Sequence, residues 1–161
     1  MNMKMGIATV ACLLLGSAMA WAAPATQTPV AGVWQDFQYG MPEKVWMDEE
    51  GVQHIRGQAS WWEVTEDLTG TAFGIFNLNL DPRTGCGDGS GTMCFDVERD
   101  GLSGTFDGRF SVVYTFGWTD GQAVAHGTGD FAGMKLMVEF SGWLPAPTRE
   151  WAGVIVDPNA K

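Results

Sequence analysis

The chain has 161 residues, with 19 Asp and Glu against 9 Lys and Arg, giving a formal charge of −10. An acidic chain repels phosphate backbones and anionic lipid surfaces, so no nucleic-acid partner is expected. Hydrophobic residues make up 45% of the sequence, enough for one packed core in a single domain of this length.

Lys4 is followed by the apolar run Ile7–Leu15 and then by small residues in AMA (18–20) and AWA (20–22). That layout predicts a secretory signal peptide over 1–22, cleaved after Ala22 at an A-x-A site. Cys12 as a lipid anchor is the rival reading, but the apolar run passes through it and Thr9-Val10-Ala11 is a poor attachment box. The expectation is export, to a periplasm or beyond. No other apolar segment is long enough to cross a membrane, so no insertion is expected after cleavage.

Residues 23–31 (APATQTPVA) have no periodicity and read as a flexible leader to a domain over 32–158. A first strand is expected around Trp34–Tyr39. Lys44–Asp48 and Val52–Val64 flank Glu49-Glu50-Gly51, a hairpin turn with glycine in the left-handed position. Thr69–Leu80 follows and ends at Asp81-Pro82, because proline cannot donate to a ladder. Asp81–Gly91 reads as an irregular loop. Thr92–Arg99 and Leu102–Phe116 flank a hairpin turn at Asp100-Gly101, and Asp120-Gly121 is expected to be a third turn. In the late strand Met134, Leu136, Val138 and Phe140 alternate with Lys135, Met137 and Glu139, and Trp151–Val156 supplies the last. No window has helical periodicity. About eight strands, with glycine inside several of them, favour a single antiparallel β-barrel, with a β-sandwich as the alternative.

Two stretches carry a likeness to a known group. LSGTFDGRF (102–110) and HGTGDFAGM (126–134) resemble the glycine-punctuated hairpins of the allene oxide cyclase-like and dirigent-like β-barrel superfamily, to which small bacterial proteins of uncharacterised function also belong. The shared feature is G-T-G-x-F-x-G, here Gly127 to Gly133. The resemblance implies an eight-stranded barrel around a central cavity, in a superfamily whose plant members act on or orient apolar small molecules. It carries over no catalytic residue.

Cys86 and Cys94 flank GDGSGTM, where two strands could be joined, and in an exported protein they are expected to form a disulfide. His54, Arg56, Gln58, Ser60 and Trp62 share one face of a predicted strand, opposite Ile55, Gly57, Ala59 and Trp61, which resemble core. Facing a lumen, the polar stripe could bind a ligand. Facing water, it is the solvated side of an amphipathic strand. Adjacent Trp61 and Trp62 must point to opposite faces, so at least one is expected on a lumen wall or an exposed patch.

His126 and Asp130 are close enough in sequence to form an acid–base pair, or His126 is a turn histidine. Ser90 lacks the G-x-S-x-G elbow. Asp81, Asp88, Asp96, Glu98 and Asp100 crowd one region, but their spacing fits no EF-hand or repeated Gly-Asp motif, so solvated acidic turns are expected, with a calcium site as the alternative. No metal and no cofactor are called for. The sequence predicts an exported barrel that binds a small, largely apolar molecule in its lumen, with His54, Arg56, Trp61 and Trp62 as ligand-contact candidates. One alternative is a cyclase or isomerase using His54, Arg56 and Glu63. The other is a structural or protein-interaction module with a filled barrel.

Overall fold

The computed structural model describes residues 25–143 and 146–160. Nine strands run in chain order: β1 (Thr26–Tyr39), β2 (Lys44–Met47), β3 (Gln53–Glu66), β4 (Thr69–Asp81), β5 (Cys86–Arg99), β6 (Leu102–Thr115), β7 (Trp118–Gly127), β8 (Lys135–Trp143) and β9 (Thr148–Asp157). From β3 to β9 each strand pairs antiparallel with the next, β9 pairs with β1, and β1 pairs back onto β3. Eight strands therefore close a barrel, and closure removes the unpaired edges a sandwich would leave. β2 is additional, pairing with the first residues of β3 beyond the end of β1.

The barrel follows from the period of two. Trp62 and Val64 on β3, Met93, Phe95 and Val97 on β5, Phe106 and Phe110 on β6, and Leu136, Val138 and Phe140 on β8 all point inward and are buried. Aromatic rings fill the middle of the lumen. Trp34 lies 5.9 Å from Trp62 and 4.7 Å from Phe140, and Phe76 meets Phe110 edge-on at 4.8 Å. One end is sealed by Leu68, Phe106 and Phe131, each no more than 1% exposed. The other end, ringed by the ends of β1, β4, β6 and β8 and the starts of β5, β7 and β9, is where a cavity remains.

Several sequence expectations change here. The signal peptide expected over 1–22 lies outside the described residues. The leader expected over 23–31 gives way at Thr26 to β1, which pairs with β9 from Thr26↔Asp157 onward and buries Val30. The turn expected at Asp120-Gly121 is instead Phe116-Gly117, both with positive φ (52° and 85°). Gly121 lies inside β7 opposite Phe140, whose ring would sit 2.1 Å from any Cβ there. Its glycine makes room for the aromatic ring across the strand and has no turn to serve.

The loop expected over Asp81–Gly91 is also mostly strand, since β5 begins at Cys86. Gly91 faces the lumen against the Phe110 ring, which a Cβ would approach to 2.6 Å. Close packing, again, accounts for a glycine that resembles loop. Cys86 and Cys94 consequently stand on the same strand, eight positions apart, both as free thiols. At the rise of a β-strand that is roughly 26 Å, whereas a disulfide needs Cα atoms within about 7 Å. The expected intrachain bridge is excluded by the fold. Cys94 is also a poor nucleophile, its thiol pushed up to about 11 by burial and by the neighbouring Asp107. Alkylation of the unfolded, unreduced protein should add two groups to the tryptic peptide 84–99. In the folded protein, Cys94 should react about two orders of magnitude more slowly than a free thiol. A peptide mass two hydrogens short, with no uptake, would contradict this arrangement.

Candidate functional site

The stripe expected on β3 is split by a β-bulge. Register against β4 jumps between Ile55 and Gln58, and Gly57 sits there with φ of +66°. An extra residue inverts the alternation on either side of it. Gln58, Ser60 and Trp62 therefore face inward, opposite Phe76, Gly74 and Ala72, while His54 is opposite Asn79 on the outer face. Trp61 is outward too, its ring 5.0 Å from Phe73, where its alternation with Ile55 and Ala59 suggested core. Of the four ligand-contact candidates only Trp62 reaches the lumen, and there it is packed against Trp34 as core.

His54 and Arg56 belong to an outer cluster that fastens β2. His54 Nε2 is 2.8 Å from Asp48 Oδ2 and Nδ1 is 2.8 Å from Asn79 Oδ1. The ring stacks on Trp46 at 4.8 Å, and Arg56 donates to Leu78 O at 2.7 Å and to Asn79 Oδ1 at 2.8 Å. Both histidine nitrogens thus face oxygen acceptors, so the imidazolium is favoured and the pKa is raised, chiefly by Asp48 and then by Asn79. Asp48 is lowered, chiefly by His54. The His54 contribution is fully present below its unfolded value of 6.5 and is lost as pH rises through the higher folded value. The Asp48 contribution is present above 3.8 and is lost as pH falls through its lower folded value. Hydrogen-exchange protection of the β2 amides, corrected for intrinsic rates, should therefore fall as pH rises above the unfolded histidine value of 6.5 and through the raised folded one. A His54→Leu variant should show a flat profile, and a flat profile in the parent protein would contradict the role given to His54.

The remaining expectations resolve simply. His126 is outward on β7 beside Lys135 and Asp107, and Asp130 instead accepts from the backbone N–H of Ser103 at 3.0 Å, so the two form no pair. Ser90 is exposed on β5 and Glu63 is exposed on β3. The acidic residues are dispersed, with Asp81 taken up by Arg83 and Asp88 accepting from Asn79. Among the described residues no group of three metal-ligating side chains occurs.

A cavity of about 140 Å³ opens at the unsealed end of the lumen. Its walls are mostly apolar, including Phe76, Leu78, Met93, Phe110 and Phe140. Five polar residues absent from the sequence-based candidates stand among them: Asp36, Tyr39, Tyr114, Thr119 and Arg149. Asp36 continues the inward parity of Val30 and Trp34, and Arg149 that of Trp151 and Ile155. Register places Arg149 across from Trp34, diagonal to Asp36. A second bulge, between Asp36 and Gln38, turns Tyr39 inward as well, opposite Ser60.

Arg149 and the Tyr39 hydroxyl both donate to Asp36 Oδ2, each at 2.5 Å. The Asp36 and Arg149 side chains are only 3% and 10% exposed. Partial burial first, and then Asp36, pushes the Tyr39 phenol above the ordinary tyrosine range although the residue as a whole is 58% exposed, and burial raises Tyr114 beside it. The cluster is therefore a neutral ensemble of one carboxylate, one guanidinium and two phenols. The signal for it was present in the sequence, since a period-two reading from Val30 through Trp34 puts a carboxylate inside.

Neither the family models nor the curated proteins contain a match to this chain. Among solved structures it is similar to a Shewanella oneidensis MR-1 protein of unknown function from the DUF3224 family, with a TM-score of 0.66 at 15% identity over 82% of this chain and 98% of that one. At that identity the likeness concerns the fold. Two small barrels share one architecture.

Proposed function

We propose that the protein is an exported barrel whose lumen binds one small, largely apolar molecule. The observation that carries the reading is the cavity itself: aromatic and aliphatic walls, open at one end only, with a few buried polar groups at its mouth. Such composition is typical of small-molecule sites. At about 140 Å³ the cavity is smaller than the space a drug-sized ligand fills, which restricts the occupant to roughly the size of a single ring. Phe116 and Trp143, 75% and 58% exposed at the same end of the barrel, give an apolar approach to it. The resemblance to barrels that handle apolar small molecules supports the same reading. Export rests on the signal-like first 22 residues.

The three residues named for cyclase or isomerase chemistry, His54, Arg56 and Glu63, are not among the cavity walls, so binding is favoured over catalysis. The test is native mass spectrometry of the protein purified from its own export compartment, before and after organic extraction. A co-purifying mass of about 100–150 Da that disappears on extraction is expected. Identical spectra, together with no change in the Trp34 or Phe140 resonances on extraction, would overturn the proposal.

A further inference from the structure

Three residues on the walls of the lumen cavity carry buried polar atoms that the protein leaves unsatisfied. Asp36 Oδ1, Thr119 Oγ1 and Trp34 Nε1 are buried and have no hydrogen-bond partner among the described residues. All three residues line the cavity. Ser60 Oγ and Trp151 Nε1 are also unpaired but are not part of its walls. A buried polar group without a partner costs about 1–3 kcal/mol, so three on residues around one cavity point to something there that completes them once the side chains turn toward it. Asp36 Oδ1 can only accept, Trp34 Nε1 can only donate, and the Thr119 hydroxyl can do either. The missing group must offer a hydrogen and also receive one.

Charge narrows the class further. Asp36 is already neutralised by Arg149, so an ammonium or a carboxylate would bring an uncompensated charge into a low-dielectric site. Tyr39 and Tyr114 stay protonated through the physiological range and cannot offset it. Deepening the lumen-binding reading, on which it rests, we infer that the ligand is a neutral single-ring or short-chain alcohol or phenol, whose O–H donates to Asp36 Oδ1 and whose oxygen accepts from Thr119. Its apolar body lies against Met93, Phe110 and Phe140.

Four probes of similar size separate the terms when titrated into the full protein and followed by calorimetry and by NOEs to the Met93 methyl. Phenol donates and accepts, anisole only accepts, toluene does neither, and benzylammonium carries a charge. Phenol should bind at least about tenfold more tightly than toluene or anisole, the scale of one hydrogen bond to a charged acceptor. Benzylammonium should bind weakest. Thr119→Val, which keeps the shape, should reduce phenol affinity several-fold and leave toluene unchanged. Toluene or anisole binding as tightly as phenol, with NOEs to Met93, would overturn the hydroxyl inference and leave lumen binding standing. Benzylammonium binding best would overturn the neutral class in the same way. Phenol affinity unchanged by Thr119→Val would remove Thr119 as the donor and overturn the stated geometry. Saturation by none of the four would overturn lumen binding itself.

Discussion

Replacing Arg149 with methionine should destabilise the barrel by about 3–5 kcal/mol, because it leaves the Asp36 carboxylate buried without its counter-charge. That is a large fraction of the 5–15 kcal/mol by which an ordinary domain is stable. Asp36 is 3% exposed, and its Oδ2 would retain only the Tyr39 hydroxyl. Removing both charges is a different matter. Asp36→Leu with Arg149→Met should lie within about 1–2 kcal/mol of the parent protein, since well-packed apolar side chains replace buried ion pairs at little cost or with a gain. Urea unfolding of the two single variants and the double variant measures the coupling directly. A single substitution costing under about 1 kcal/mol would mean that water reaches Asp36, as it does at exposed pairs. The double variant has a second use. It should fold while losing the preference for phenol over toluene, which ties stability and recognition to one carboxylate.

The legibility of this chain varied with the physical cause of each feature. Alternation marked the core of β8 correctly, because a half-buried strand must send apolar residues to one side every second position. On β3 it grouped Gln58, Ser60 and Trp62 with His54 and Arg56, and Trp61 with Ile55, because a single extra residue at Gly57 inverts every assignment beyond it, and a glycine inside a strand hints at a bulge without fixing its register. Glycine misled in a second way. At Gly51 and Gly101 it marks a turn, with φ of 84° and 81°. At Gly91 and Gly121 it marks contact with Phe110 and Phe140, long-range neighbours that only the closed sheet creates. The disulfide expectation failed for the same reason, since a glycine-rich strand was mistaken for the loop that would have let Cys86 and Cys94 meet. Asp36 and Arg149 are 113 positions apart and meet only when β9 closes onto β1. Parity could have flagged each as inward, but not that they neutralise one another.

Phe131→Ala is the other substitution expected to have a large effect, at about 3–5 kcal/mol and a fall in melting temperature of about 10 °C or more. The glycine-punctuated segment that carried the family resemblance explains why. Gly129–Phe131 forms a single 3-10 turn, held by Thr128 N–H to Thr105 O at 2.8 Å and Gly127 N–H to Met134 O at 2.9 Å. Those backbone bonds, with Asp130 accepting from Ser103, aim the Phe131 ring into the sealed end, where it stacks on Phe106 at 4.8 Å and is 1% exposed. The motif is thus a plug rather than a catalytic loop. Truncation should leave the turn intact, because its bonds are made by main chain, and should open a void beneath Phe106 that rigid strands cannot close. The mouth cavity lies at the opposite end of the lumen, so phenol affinity measured well below the lowered melting temperature should be unchanged. A cost under about 1 kcal/mol would show that the segment lies loosely over the barrel end. Lost phenol binding in a folded variant would show that the ring shapes the cavity from below and that the two ends of the lumen are coupled.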